Sequence, residues 1–349
     1  MAISIPFCFL RKSRVTPFVW LCFCFICDAV SAQQLNVINL LTDTVRWKRL
    51  LKELETNDIA EDNINRLEAV HGKSMTQEEL NENASWRART FCPLGTIGCY
   101  LSHRKFWHQV VDGSDPYQIV LEDDVVLEPN FVARASAMVE ELEASPVGNE
   151  WDVLLLGALG SVDPRKRFHF MYEIPAFCAG GCRQQKQIAE HIHIPKRPFG
   201  THAYAISKRG AKKLLDLAWK ATYHVDSVVW GIPELNLFNC DPLLAYQDSS
   251  CVSTVGSVTS GIETWIPSGI MMDQYTKMPL VWVWNEPVLR IPILNVIITQ
   301  GRYLIFGILG TLLGLSQYNE HPWFLQGFLS FFFPFIASFT RWMSRPLPK

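Results

Sequence analysis

The run Ile119 to Leu127, IVLEDDVVL, places three adjacent carboxylates, Glu122, Asp123 and Asp124, inside an apolar, β-branched stretch of the kind that forms a buried strand. A buried carboxylate without a partner is costly, and three neighbours repel one another as well. Such a run is tolerable at a strand end, where the acids meet water, arginines or a cation. A hard divalent ion with oxygen ligands is a natural compensating charge. It would also bridge the acids to a diphosphate and so help a nucleotide to leave. Because side chains alternate along a strand, Glu122 and Asp124 are expected to share a face and Asp123 to point elsewhere. Solvated acids, or acids paired with arginines, are the alternative.

A second group of ligand-type residues lies in CAGGCRQQKQIAEHIHI, where Cys178, Cys182, His191 and His193 are all residue types that bind zinc. Their spacing is not a standard one, and a disulfide is the competing reading in an oxidising compartment.

The elements that must carry these residues alternate. LNVINLL reads as a short strand, and TDTVRWKRLLKELETN as a helix with Trp47, Leu50, Leu51 and Leu54 at helical spacing and Thr42 or Asp43 as cap. INRLEAV is a strand, GTIGCYLSHRKFWHQVV a helix, YQIVLEDDVVL a strand, FVARASAMVEELEAS a helix and WDVLLLGAL a strand. This order predicts an α/β fold with a mostly parallel central sheet and helices on both faces, with ligands at the carboxyl ends of the strands. Residues 161–198 break the pattern and are expected to be a loop or insertion. FGTHAYAIS then restores a strand and KRGAKKLLDLAWKA a helix, and DPLLAYQDSSCVST reads as a strand and loop.

Both ends are apolar and aromatic. Residues 1–32 carry Arg11, Lys12 and Arg14, then PFVWLCFCFIC, then small residues at Ser31 and Ala32, the layout of a signal peptide or short anchor. Residues 288–349 form an apolar region. Within it, 322–340 is uncharged and long enough to span a membrane, with Arg341, Arg345 and Lys349 as a basic flank. A single span would leave a lumenal globular domain with that flank across the membrane. Of ten cysteines, Cys92, Cys99, Cys178, Cys182, Cys240 and Cys251 follow the leader, an even number compatible with disulfides. Asn83-Ala84-Ser85 is a glycosylation sequon. A chain of 349 residues with a net charge of −2 and 48% hydrophobic residues can bury a large core and has no basic excess for nucleic acid. It carries no P-loop for phosphotransfer.

Seven motifs occur in order: VINL, RLEAVHGK, GTIGCYLSHRKFW, VLEDDVVL, WDVLLLG, GTHAYAISKRGAKKLL and VDSVVW. In this the chain resembles glycosyltransferase family 25, a family with bacterial and animal galactosyltransferases, from about Asn36 to Ser253. The resemblance implies a GT-A-like nucleotide-sugar-binding fold over residues 33–287. It implies a secretory-pathway enzyme, in the ER or Golgi, that moves galactose from UDP-galactose to a hydroxyl of a protein or glycan with inversion, using Mn²⁺ or another divalent cation. Glu122, Asp123 and Asp124 become the metal and diphosphate residues. Gly95, Gly98, Ser102 and His103 fall at a helix start suited to a donor phosphate or sugar hydroxyl, though a glycine turn and a packed His103 would look the same. Gly200, Thr201 and His202 are placed to reach the sugar or acceptor, and His202 is either a further metal ligand or a core histidine. Asp226 matches an acid of the family and is the candidate base, with Glu234 or Asp248 as alternatives. Asn39 and Arg46 follow the first strand, where base and ribose lie in such folds, and Arg46 could equally be a solvated helix residue. Two departures stand out: His71 where the family carries an acid, and the segment around Cys178–His193. A non-catalytic relative that binds glycans or mediates adhesion is the rival function, separated from the enzyme by metal-dependent UDP-sugar binding.

Overall fold

The computed structural model describes residues 34–166, 170–248, 272–279, 287–291 and 296–349. The leader expected at 1–32 and Cys251 lie outside these residues. An eight-stranded sheet has the order β2 (Ile64–Glu68), β1 (Leu35–Asn39), β3 (Tyr117–Glu122), β8 (Arg197–Ser207), β5 (Val153–Ser161), β9 (Leu237–Cys240), β7 (Ile192–Ile194) and β6 (Lys186–Gln187). β2, β1, β3, β5, β9 and β6 run one way and β8 and β7 the other. Most strands are therefore co-directional, as the alternating pattern predicted, yet a reversed strand sits in the middle. The reason is the connection between β5 and β8. Ser161 pairs with Arg197, so the chain leaves and re-enters the sheet at the same end, and such a return makes antiparallel neighbours without a crossover. That connection is not a loop throughout, for it contains a helix at Phe170–Ala179 and the two edge strands β6 and β7.

The helices are α1 (Thr44–Glu55), α2 (Gln77–Asn83), α3 (Trp86–Phe91), α4 (Leu94–Asp112), α5 (Phe131–Ala144), α6 (Phe170–Ala179), α7 (Lys208–Leu217), α8 (Val225–Val229), α9 (Gln300–Ser316) and α10 (Pro322–Met343). α1 starts where Asp43 accepts the Arg46 N–H, the cap its sequence anticipated. α4 buries Tyr100, Phe106 and Trp107 against the sheet, where Ile119, Val120 and Leu121 of β3 and Tyr204 of β8 are fully enclosed. Each buried aliphatic or Phe side chain of this size contributes about 1.5–3 kcal/mol relative to exposure, so β3 is anchored firmly up to Leu121. The acids begin at the next residue. Short strands β4 (Val125–Leu127) and β10 (Ala245–Gln247) pair antiparallel beyond the sheet and hold Gln247 opposite Val125.

The loop after β2 crosses the start of α4 at two glycines. A Cβ on Gly72 would lie 1.9 Å from the Leu94 carbonyl oxygen, and one on Gly98 would lie 2.5 Å from that of Val70. Ser102 locks the same crossing, donating to the Gly98 carbonyl at 2.7 Å and accepting the Val70 N–H at 2.8 Å.

At the other end of the chain, α9 and α10 form a helical hairpin, and residues 344–349 do not leave the body. Arg87 donates to the carbonyls of Trp342 and Arg345, Ser344 meets Ser227 at 2.9 Å, and Lys349 pairs with Asp216. The basic flank expected across a membrane from the domain is therefore docked on the domain itself.

The glycine crossing generates a stability prediction. Gly98→Ala should destabilise the fold by about 1–3 kcal/mol, because backbone rather than a flexible side chain must give way. Ser102→Ala, which removes two hydrogen bonds but adds no atoms, should cost less. Chemical denaturation of both variants measures the order.

Candidate active site

β1 and β3 lie side by side and end together, at Asn39 and Glu122, with the turn Asp123-Asp124 beyond. This carboxyl edge opens into a cleft of about 400 Å³ lined by Asn39, Arg46, Glu122, Asp123 and Asp124 on one side and by Gly95, Cys99, Ser102 and His103 of α4 on the other. His71 and Lys73, both exposed, and Gln247 also line it.

Because the strand stops at Glu122, the three acids do not alternate as a regular strand would require. Asp123 and Asp124 lie in the turn and converge on one cation. Arg46 Nη1 meets Asp123 at 2.5 Å and Arg46 Nη2 meets Asp124 at 2.7 Å. The expected division, with Asp123 pointing away, is replaced by a forked guanidinium spanning both aspartates. Asn39 adds a bond of 2.6 Å to Asp123, and its own oxygen accepts from Arg66, which settles the orientation of the amide. Gln247 donates to the Asp124 oxygen already held by Arg46, at 3.1 Å. The other oxygen, Asp124 Oδ1, is buried and has no hydrogen-bond partner among the described residues. Arg46 therefore holds the acids rather than lying open on the first helix, and Asn39 at the end of β1 holds Asp123 with it. Gln247, which lies far along the chain, gave no local signal in the sequence.

Glu122 belongs to a separate chain of contacts. His103 Nε2 donates to it at 3.2 Å and the Thr201 hydroxyl at 2.6 Å. His103 Nδ1 lies 3.0 Å from the Tyr204 hydroxyl, which in turn accepts from Trp107 Nε1 at 3.0 Å. The ionised Glu122 carboxylate can only accept, so Nε2 carries the proton directed at it, and Nδ1 then accepts from the Tyr204 hydroxyl. His103 is thus both packed against the sheet and open to the cleft.

The electrostatics of the two halves diverge. Burial pushes the Glu122 carboxyl upward, but the bonds from His103 and Thr201 and the nearby imidazoles outweigh it and hold the group at about 2. At Asp123 burial wins: against the pull of Arg46 and Asn39 the carboxyl is pushed up to about 6. Asp124 is raised too, by burial first and then by the charge of Glu122. Three carboxylates around one guanidinium leave the cluster short of positive charge, and burial raises both aspartates. A divalent cation fits this deficit in charge, and Asp124 Oδ1 is an unused oxygen ligand for it. Cys99 Sγ, His103 and Glu122 are also mutually close enough to share an ion, the one such His/Cys/acid group among the described residues.

Other expected residues are placed as follows. Gly98 does not line the cleft but packs on Gly72, and Ser102 has its hydroxyl occupied at the same crossing. Gly95 lies at the α4 N-terminus in the cleft wall. Gly200 takes a left-handed backbone conformation, φ +80°, as a glycine readily does. Its N–H is held by Asp226 at 2.7 Å and its carbonyl by Trp230 Nε1 at 2.8 Å. The second Asp226 oxygen accepts the Ser227 N–H at 2.6 Å, so this carboxylate clasps backbone outside the cleft lining. His202 is enclosed, with neither ring nitrogen in a hydrogen bond among the described residues. Burial lowers its pKa, keeping it neutral. Asp248 pairs with Arg49, and Glu234 is exposed on a separate, larger cavity of about 1000 Å³ that holds no comparable acid cluster.

The zinc quartet is not assembled. His191 pairs with Glu141 at 2.9 Å, His193 faces Asp241, and Cys182 contacts the Ala176 carbonyl. Nor do the five described cysteines form a disulfide. In the sequon, Asn83 donates to the Glu79 carbonyl and accepts from Arg104, so both ends of its amide are engaged.

Comparison with known proteins identifies the family. The family described as glycosyltransferase family 25 (LPS biosynthesis protein) matches residues 32–229. Procollagen galactosyltransferase 1 of Danio rerio is 26% identical over 199 residues, which cover 54% of this chain and 29% of that protein. Procollagen galactosyltransferase 1-A of Xenopus laevis is 27% identical over 201 residues, 54% of this chain and 29% of its own. Inactive glycosyltransferase 25 family member 3 of Homo sapiens is 32% identical over 121 residues, 35% of this chain and 17% of its own. The chain thus spans less than a third of the length of these relatives. The family match covers more than half of the chain and contains every cleft residue except Gln247. By that match, the chain belongs to glycosyltransferase family 25.

Proposed function

We propose that this glycosyltransferase transfers galactose from UDP-galactose to a hydroxyl of a protein or glycan acceptor, with a divalent cation, Mn²⁺ in the first instance, at the acid cluster. The observation that supports the reading most directly is the unmatched charge at Asp123 and Asp124, with Asp124 Oδ1 buried and unused. An adhesion protein has no need of such a deficit, whereas a metal-diphosphate site does. Relatives named as procollagen galactosyltransferases favour galactose, a protein acceptor and the secretory pathway.

Asp124 and Asp123 would hold the cation, and Glu122 would add its charge nearby. When bound, the cation supplies charge that stabilises the departing diphosphate. The chain's own groups do the rest. The α4 N-terminus at Gly95 offers backbone N–H groups to an anion, and Lys73 and His71 add positive or hydrogen-bonding groups to the cleft wall. Asn39 and Arg46 keep the aspartates aimed while the donor binds. Thr201 and His103 orient Glu122, and the enclosed, neutral His202 behind them excludes water. GT-A-like geometry and inversion enter this reading through the family. Asp226 enters it as the acceptor-side base, hydrogen-bonded to the Gly200 N–H directly before Thr201 and His202.

Three outcomes test this. First, the full chain should release UDP from UDP-galactose only with Mn²⁺ present. Asp124→Ala should lower that rate by about 100-fold or more, about 2.7 kcal/mol of transition-state stabilisation; equal rates in the variant would refute the metal assignment. Second, Arg46→Gln removes the guanidinium that the two aspartates share. Its melting temperature without metal should drop below that of the wild type, and saturating Mn²⁺ should narrow the gap. A gap that Mn²⁺ leaves unchanged would mean that the acids do not bind it. Third, Asp226→Asn retains an oxygen for the Gly200 N–H. Loss of sugar transfer with Mn²⁺-dependent donor hydrolysis intact identifies a base, while normal transfer leaves Asp226 a clasp on Gly200.

A further inference from the structure

We infer that α9 and α10 insert into a lipid bilayer as a two-pass hairpin whose two ends both lie on the side of the catalytic body. Four observations converge on this. Between Tyr303 and Asn319, and again from Pro322 to Thr340, there is no charged residue. At 1.5 Å per residue the 22 residues of α10 are about 33 Å long and by themselves long and apolar enough to cross a hydrocarbon core of about 30 Å, while the 17 of α9, about 25 Å, lie at the short end of the spanning range.

The seam between the helices is built from small residues against rings. A Cβ on Gly307, Gly310 or Gly314 would run into Phe332, Phe328 or Leu325 respectively, at 2.2 to 2.9 Å. Helices approach in this way when packing, not exclusion of water, must hold them together. With the seam so filled by glycine, the large apolar side chains point outward. Phe306, Leu309 and Leu313 are exposed on one flank of α9, and Ile308, Leu312 and Leu315 on another. On α10, Phe331 is 69% exposed, and Leu329, Phe333 and Phe335 are exposed as well. A protein partner, or a second copy, would cover one face; apolar surface on several flanks calls for a solvent that is itself apolar.

The body supplies a collar at the base of the hairpin. Trp86, itself exposed, packs at a tilt against Trp342 with ring centroids 5.6 Å apart, and α6 presents Ile174 and Phe177 beside Arg341, whose guanidinium lies 5.1 Å from the Phe177 ring. Aromatic rings with arginine at the end of an apolar helix are the usual composition of a membrane interface. The tail then turns back onto the body through Arg87, Ser227 and Asp216. With α9 leaving the body at Thr299 and α10 returning to it at Met343, the turn at Gln317–His321, which contains Glu320, is left for the opposite face of the membrane.

The test uses the full chain in sealed microsomes, with an epitope inserted between Asn319 and Glu320 in one protein and after Lys349 in another. Protease is added from outside, and the catalytic body is followed on the same blots. The proposal expects the chain to stay in the membrane through a carbonate wash, the tail epitope to share the fate of the body, and the turn epitope to show the opposite fate. A tail epitope on the opposite side from the body overturns the hairpin in favour of a single span. Release by carbonate, or a turn epitope sharing the fate of the body, overturns insertion in favour of a hairpin that lies on the surface or is covered by protein.

Discussion

Everything in the cleft follows from the need to keep three adjacent carboxylates at the end of a buried strand. β3 is anchored by side chains with no exposure as far as Leu121, so its acids cannot retreat into solvent without unpicking the core. The protein meets the cost in two ways on the two sides. Glu122 is stabilised in its charged form by hydrogen bonds from α4 and β8. Asp123 and Asp124 share one guanidinium, which does not offset their burial, so both are raised. A site that is under-compensated at rest is primed to take up a cation, whereas one fully neutralised by arginines would bind a cation only by displacing them.

That arrangement places demands on elements far from it in sequence. Arg46 must come from the first turn of α1, which the Asp43 cap fixes directly after β1. α4 must pass close enough to β3 for His103 to reach Glu122, and the glycine contact of Gly72 with Gly98 permits that approach. Thr201 must face Glu122 from β8, and the left-handed backbone at Gly200 within that strand, held from both sides by Asp226 and Trp230, sets where β8 presents it. The reversed direction of β8 is therefore part of the site. It brings Thr201 and His202 to the edge where the parallel strands end.

The catalytic body and the hairpin obey opposite rules with the same amino acids. In the body, Trp107, Phe106 and Tyr204 are enclosed and their polar atoms paired, as water requires. In α9 and α10 the small residues are inside and the rings outside, the order that suits an apolar surrounding. Both patterns meet at Trp86, Phe177 and Trp342.

The alternating pattern of apolar runs located β1, β2, β3, β5, α1, α4, α5 and α7 and the acids at the strand end, because periodicity and caps are local properties of the chain. The ordered motifs placed the family for the same reason: they record residues in sequence, with no need to know what they touch. What each acid touches was not legible. Arg46 read equally well as a solvated helix residue until α1 was seen to deliver it to Asp123 and Asp124. Asp123 was expected to turn away because nothing local marks the end of β3. Gln247 lies 123 positions from its partner Asp124 and carries no signal of its own. The direction of β8 and the return of the tail onto Arg87 depend on where chain segments re-enter the body. Sequence decides which residues are apolar, charged or flexible; the closure of distant segments in space decides which charges meet, and that is a tertiary property.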